Sequence, residues 1–472
     1  MFNRKHTFII IYIFILSLFS CTSTKSSETA EEAEKPQTRA EALEQAQEKT
    51  VSALDIAFFS QFDDPYLESY IQKALSDNNT LKRATLRITE YEQLVKYSHG
   101  GQLPKVNIGA YYVGHKMPER DNPMFSDPKF ENDLVVPLSA SYELDFFGKN
   151  KSRTDSAKKQ LEVAQLEEKA VYISLISDVA AIYLNLLKYD SLIEKQQETV
   201  NNLEQIAASD AKLLDSGIIT ADRLASARQN VDNALNAVRY YEKQRDTMIM
   251  QLAYLCGITP EKGMELQRGT LSGLNYNGKV PDAVDVDVIW QRPDVAACEA
   301  QLETAEINIA TARKERLPSF KITAALGLNT ISSAAFFSWQ SALVSLIAGI
   351  GHTLFDGGMR KAAVEVRELQ YDELAEQYKS VDLNAVKEVT AALVMLQHDQ
   401  EIDATLNAQM EREAKNCSDA RQKLERGIIT GTEYYVTSNR LVECQKNADQ
   451  AKTQRISDII TLYKVTGGKI NG

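Results

Sequence analysis

Between Pro137 and Pro260 the chain contains no proline, and none follows Pro318. Within 149–255 the only glycine is Gly217, and within 361–465 the only ones are Gly427 and Gly431. Proline removes a backbone donor and glycine weakens helices entropically, so stretches lacking both are free to form helices of unusual length. Apolar residues in 166–187 (Leu166, Ala170, Ile173, Ile176, Ala180, Tyr183, Leu187) recur at spacings of three and four, one face of a helix. The pattern predicts helices over 149–215, 220–255, 361–426 and 431–465. At ~1.5 Å per residue the first would span roughly 100 Å. A helix of that length needs coiled-coil neighbours along it.

Ahead of each helix pair the period changes from helical to two. In "DLVVPLSASYELDFF" (133–147) Leu134, Val136, Leu138, Ala140, Tyr142, Leu144 and Phe146 alternate with Asp133, Ser139, Ser141, Glu143 and Asp145. The segment 104–115 places Val106, Ile108, Ala110 and Tyr112 on one face, less strictly. In the second half "SFKITAALGLN", within 318–330, sets Phe320, Ile322, Ala324, Leu326 and Leu328 against Ser319, Lys321, Thr323 and Asn329, and 340–355 alternates weakly. Each half therefore runs helices, strand, strand, helix, helix. Half the strands of soluble sheets alternate in this way too, so the start of the chain carries weight. "MFNRKHTFIIIYIFILSLFSC" has basic Arg4 and Lys5, an apolar run from Phe8 to Phe19 and small Ser20 before Cys21. That is an export signal over 1–20. "LFSC" is similar to the lipobox of bacterial lipoproteins, which makes Cys21 the lipid anchor; a plain signal cleaved elsewhere is the other reading. The acidic stretch "TSTKSSETAEEAEKPQ" reads as part of a flexible tether over 21–55.

After the signal we read no apolar run of the ~18 residues that a helix needs to cross a bilayer. Strands of ~10 residues with one apolar face suit a membrane β-barrel. Four strands cannot close one, and open edges are not tolerated in lipid. An oligomer, dimer or larger, follows. A net charge of −12 offers no basic face for nucleic acid. The five His form no helical pair and the Cys no C-x-x-C, so no metal site is expected, and no catalytic motif or cofactor fingerprint is present. Cys256, Cys298, Cys417 and Cys444 read as small apolar residues in helix interfaces.

Four stretches resemble the outer-membrane efflux protein family, the TolC-like ducts, in the lipoprotein (NodT/OprM-like) branch that serves RND-type pumps. They are "FFSQFDDPYLESYIQKALSDNNTLKRA", "SASYELDFFGKNK", "TLFDGGMRKA" (353–362) and "RPDVAACEAQLETAEINIATARKERLPSFKIT" (292–323). The resemblance runs from about residue 56 to the C-terminus. It implies a mainly α protein with membrane β: a homotrimer whose four strands per chain make a twelve-stranded outer-membrane barrel, continued by a long coiled-coil α-helical barrel across the periplasm. It further implies a passive, non-enzymatic exit duct without cofactor, joined to an inner-membrane RND transporter by a periplasmic adaptor and set in outer-membrane lipid. On this plan 56–265 is the first structural repeat and 266–472 an equatorial segment plus the second, with 257–285 in the equatorial belt.

The tetrapeptide "GIIT" occurs at 217–220 and again at 427–430, between the helices of each pair. Capping explains much of it. Gly217 and Gly427 suit the left-handed position that ends a helix, and Thr220 and Thr430 suit the next N-cap. Ile219 can staple to Leu224, Ile218 can contact Leu213, and Thr430 with Glu433 has capping-box spacing. In the second copy Lys423 stands where Ile428 needs an apolar contact, which leaves Ile428 the more exposed. The resemblance makes Gly217, Ile218, Ile219, Thr220, Gly427, Ile428, Ile429 and Thr430 an adaptor-docking tip, and capping alone stays open. The family often closes this tip with an Asp ring, which here falls on Val436 or near Asn439, so the candidate gate carboxylates are Glu433 and Asp222. A type I protein-secretion duct and a structural coiled-coil envelope lipoprotein are the alternatives. The substrate is not legible.

Overall fold

The computed structural model describes residues 58–117, 129–281, 283–330 and 342–470, all within one compact unit, Gln47–Gly472. The signal, Cys21 and the tether lie outside the described residues. The elements follow in the order α1 (Pro65–Asp77), α2 (Asn79–Gly100), β1 (Lys105–Ile108), β2 (Tyr111–Met117), β3 (Lys129–Leu144), α3 (Lys149–Asp215) and α4 (Ala221–Leu255). Then come α5 (Pro260–Gly263), α6 (Val286–Trp290), α7 (Pro293–Lys314), β4 (Ser319–Thr330), β5 (Ala342–Gly351), α8 (Met359–Glu425) and α9 (Gly431–Val465). Both α3 and α8 have 67 residues, and both α4 and α9 have 35. The helix ends fall within two residues of those read from proline and glycine.

The strand at 104–115 is interrupted. β1 and β2 both pair antiparallel with β3 in one unbroken register, Ile108 opposite Leu138 and Tyr111 opposite Val135. Between them Gly109 donates its N–H to the carbonyl of Pro137 at 2.9 Å, but Pro137 has no N–H to return, so the ladder skips. On its other side Pro137 faces Gly327 of β4. A Cβ on Gly327 would sit 3.3 Å from the Pro137 Cα, so the glycine lets the two backbones approach around the proline. Sheet order is β1/β2, β3, β4, β5, all antiparallel, with β1/β2 and β5 at the edges.

An 18-residue window of α3 is apolar enough to cross a bilayer, with mean hydropathy 1.7, contrary to our reading that no such run follows the signal. It is core instead, 61% buried within the protein. Tyr172, Ile173, Leu175, Ile176, Val179, Tyr183, Leu184 and Leu187 pack against Phe58, Phe59 and Phe62, against Leu67 and Ile71 of α1, and against Ile456, Ile459, Leu462 and Tyr463 of α9. Burying side chains of this size stabilises by ~1.5–3 kcal/mol each. The Phe58 and Tyr463 rings stack at 4.3 Å, joining the start of the described chain to its last helix. Leu271 and Leu274, from the segment between α5 and α6, enter the same core. Towards the two turns the apolar core thins to Val200, Ala234 and Val238, and polar pairs take over between α3 and α9.

Candidate functional sites: the strand face and the twin turns

Two features carry the argument, one at each end of the long helices. On the sheet, register brings the even-numbered residues of three strands onto one face: Leu138, Ala140, Tyr142 and Leu144 of β3; Leu326, Ala324, Ile322 and Phe320 of β4; Val344, Leu346, Ala348 and Ile350 of β5. Val106 and Ile108 of β1 join it. Among the described residues nothing covers this face. Val106, Ile108, Leu138, Leu326, Val344, Leu346 and Ile350 are all exposed, a contiguous apolar patch of the kind that marks an interaction with lipid or protein. The odd-numbered face carries Ser139, Ser141, Glu143, Lys321 and Thr323, with Glu143 directly opposite Lys321; Ile347 is an apolar exception. Where strands meet helices, Phe146 packs edge-on against Phe320 at 4.9 Å, and Leu354 and Phe355 stand almost fully exposed. Apolar bands bordered by aromatic residues are what a bilayer selects on a barrel wall.

The twin turns share one backbone conformation. Gly217 and Gly427 each have φ of +68°, and a Cβ on either would meet nothing within 4 Å, so the backbone alone calls for glycine. Ile218 donates to the Leu213 carbonyl at 2.9 Å and Ile428 to that of Lys423 at 2.8 Å, the bond that closes a Schellman turn. Their side chains behave alike as well, 67% exposed for Ile218 and 65% for Ile428. The expected difference between them does not occur, because an apolar Leu213 does not draw Ile218 inward any more than Lys423 draws Ile428. Ile219 and Ile429 are half-buried, and Leu224, the expected staple partner of Ile219, is buried.

The caps do differ: the box expected at Thr430 and Glu433 forms, whereas the cap bond expected of Thr220 does not. Thr220 holds the N-cap conformation but makes no side-chain cap bond. Thr430 makes a full capping box: the Glu433 N–H donates to its Oγ1 at 3.2 Å, and its own N–H donates to Glu433 Oε2 at 2.8 Å. The position three beyond Thr220 is Arg223, which cannot accept; it reaches back instead to the buried carboxylate of Asp210 at 3.2 Å. Both gate candidates are exposed at the start of a helix, Asp222 in the first turn of α4 and Glu433 in that of α9. The Thr430 N–H and hydroxyl hold the Glu433 carboxyl below its ordinary value. Val436 is exposed, whereas Asn439 accepts from Asn202 of α3 at 2.9 Å.

Polar bonds between the two hairpins escaped sequence reasoning, since each joins residues far apart in the chain. Asn202 also donates to Ser438, Lys446 donates to Gln196 at 3.0 Å, and Lys195 pairs with Asp449. Only Arg292 gave a signal, as part of "RPDV". Its buried guanidinium bonds Asp294 at 2.7 Å, Glu388 of α8 at 2.8 Å and the Val465 carbonyl at the end of α9 at 3.0 Å. Among the described residues no group of three or more His, Cys, Asp or Glu could hold a metal, and Cys256, Cys298 and Cys444 are buried free thiols.

A sheet of five strands in four positions, β1 and β2 sharing one edge of β3, runs with its bare apolar face into two 67-residue helices with matched turns. The chain is 25% identical over 422 residues to the pyoverdine export outer membrane protein OpmQ of Pseudomonas putida, covering 88% of each. It is 24% identical over 424 residues to the probable outer membrane lipoprotein SilC of Salmonella typhimurium, again 88% of each. The CmeC outer membrane channel of Campylobacter jejuni superposes with a TM-score of 0.79 at 20% identity over 87% of both chains. CusC gives 0.74 at 23% identity, over 86% of this chain and 93% of that one. At these identities the superpositions speak to the fold. The family model for outer membrane efflux proteins matches residues 70–257 and 287–468, which take in both long hairpins and all five strands. On that match, the chain belongs to the outer membrane efflux protein family.

Proposed function

We propose that three copies of this chain form the exit duct of a tripartite RND-type efflux system, passing small toxic compounds from an inner-membrane pump and its periplasmic adaptor to the exterior. The observation that carries this reading is the bare even-numbered face on a sheet whose two edge strands, β1/β2 and β5, have no partner on their outer sides among the described residues. A sheet in lipid must satisfy its edge groups, and four strands do not close on themselves. Further copies supply the missing strands, with the even residues towards lipid and the odd residues towards a water-filled lumen. The helices repeat the argument: Leu369, Leu383 and Met395 of α8 and Tyr240 and Tyr254 of α4 are exposed in the single chain, a surface that neighbouring copies would cover.

In the same reading the duct is passive. Its residues supply a wall, a lumen and a docking end, and the energy comes from the pump. Ile218 and Ile428, each two-thirds exposed on a fixed turn, repeat around three chains to give a ring of six apolar side chains for adaptor hairpins. Glu433 and Asp222 remain the gate candidates; in the single chain Glu433 is engaged by Thr430, so a gate role requires that carboxylate to face its copies beyond its cap. Cys21 is the proposed lipid anchor, on the strength of "LFSC" and of the lipoprotein named among the relatives.

The test is accumulation of a fluorescent efflux dye and survival on a panel of toxic compounds in cells lacking the gene, compared with complemented cells. The expected result is raised accumulation that complementation reverses, with the sensitive compounds naming the substrate class. Unchanged accumulation alongside lost protein secretion would replace this reading with a type I duct. No change in either, with no conductance in a planar bilayer, would leave an envelope brace.

A further inference from the structure

Asp458 of α9 is 5% exposed, at the margin of the main core beside Ile456, Ile459 and Ile460. One carboxyl oxygen accepts from Gln454 Nε2 at 2.9 Å. The other, Oδ2, has no donor within reach, and the carboxyl of Asp399 on α8 stands beside the group. Two bare carboxylates cannot hydrogen-bond to each other. A buried acceptor with no donor costs about 1–3 kcal/mol, and a second negative charge beside it adds repulsion. One proton placed between the two removes both penalties.

Among the described residues the neighbouring charges supply no alternative partner. On α8, Asp403 is taken up by Arg455 at 2.8 Å, and that pair uses the nearest guanidinium on α9. Lys452 of α9 turns to the carbonyls of Leu271 and Ser272. Helix α3, which also packs on α9, makes its charged contacts at either end of this stretch, Asp178 with Lys464 at 2.9 Å and Lys195 with Asp449.

We propose that Asp458 keeps its proton at neutral pH and donates it to Asp399, and that this hydrogen bond fastens α8 to α9, so that the pair grips more firmly in acid than in alkali. Burial, followed by the facing Asp399, pushes the Asp458 carboxyl up to about 7, against a smaller lowering by Gln454. The sign follows from linkage. From about pH 4, where an unfolded Asp releases its proton, to about pH 7 the folded chain holds a proton that the unfolded chain has lost. Stability falls across that window, by about tenfold in the unfolding equilibrium per pH unit for this one group, and levels off above it. The proposal concerns the helix pair itself and stands whether or not the duct reading does.

Infrared spectroscopy of the full-length protein in detergent, titrated from acid to alkali, reads the protonated carboxyl directly. The wild type should lose a carboxylic C=O band with a midpoint near neutral pH, and Asp458→Asn should lack that band. Asp399→Asn should move the midpoint at least a unit towards acid, since its amide can donate to the remaining carboxylate. In thermal unfolding Asp458→Asn should match the wild type at low pH and exceed it in alkali. A wild type whose carboxyls have all ionised well below neutral pH, a midpoint unmoved in Asp399→Asn, or parallel melting curves for wild type and Asp458→Asn would each overturn the proposal.

Discussion

Replacing Arg292 with alanine should be among the most damaging single changes in the helical part of this protein. Its guanidinium, only 8% exposed, makes four hydrogen bonds: two to Asp294, one to Glu388 and one to the Val465 carbonyl. These tie the start of α7 to the middle of α8 and the end of α9. Removing one partner of a buried ion pair costs about 3–5 kcal/mol. Here the two carboxylates are partly exposed, 45% for Asp294 and 36% for Glu388, and regain some water when the arginine goes. The loss is then about 2–3 kcal/mol, mostly from the orphaned carbonyl at the helix end and the lost packing of the side-chain stem. Arg292→Lys keeps the charge but has no planar fork to span three acceptors, and should lose about 1–2 kcal/mol. Urea unfolding in detergent measures both, and a double-mutant cycle with Glu388→Gln should return a coupling of about 1 kcal/mol. A cost below about 0.5 kcal/mol for Arg292→Ala, or a coupling of zero, would refute the view that this arginine joins the three helices.

At the turns, Thr430→Ala should speed hydrogen exchange of the amides at 431–434 several-fold, since it removes a cap worth about 1 kcal/mol, whereas Thr220→Ala should leave those at 221–224 nearly unchanged because Thr220 makes no cap bond. Burial would raise the Asp294 carboxyl, but the Arg292 guanidinium outweighs it and holds the group below its ordinary value. A depressed carboxyl contributes stability above its unfolded pKa that is lost as pH falls through the folded one. Asp294→Asn should therefore be less stable than wild type at neutral pH and converge with it in acid unfolding below about pH 4. Gly327→Val should impair assembly, because its Cβ would press on the Pro137 Cα at 3.3 Å on the neighbouring strand; heat-modifiable migration on semi-native gels would show it, and normal migration would contradict the packing argument.

Much of this architecture is written locally. Proline and glycine positions give the long helices because both residues act through the backbone at the point where they stand, and the period of two gives the strands because a pleat repeats at that interval. The left-handed glycines of the twin turns are legible for the same reason. The apolar stretch of α3 shows where local reading fails: composition alone does not separate a buried core helix from a membrane span, and only the packing of Phe58, Leu67 and Tyr463 around it decides the matter. The caps show it again, since the same tetrapeptide takes a full box where Glu433 follows and none where Arg223 follows, and the arginine has its partner in Asp210, thirteen residues back.

The sequence by itself thus determined the four long helices, the two-faced strands and the repeated turns, each set by neighbours a few residues apart. Tertiary structure alone decided which polar groups meet: Arg292 with Glu388, Tyr183 with Asp64, Lys446 with Gln196, Asp458 with Asp399. A buried polar side chain is stable only beside a partner, and in this protein those partners come from elements that the chain brings together after 96 residues or more, or across a hairpin, where no sequence period reaches.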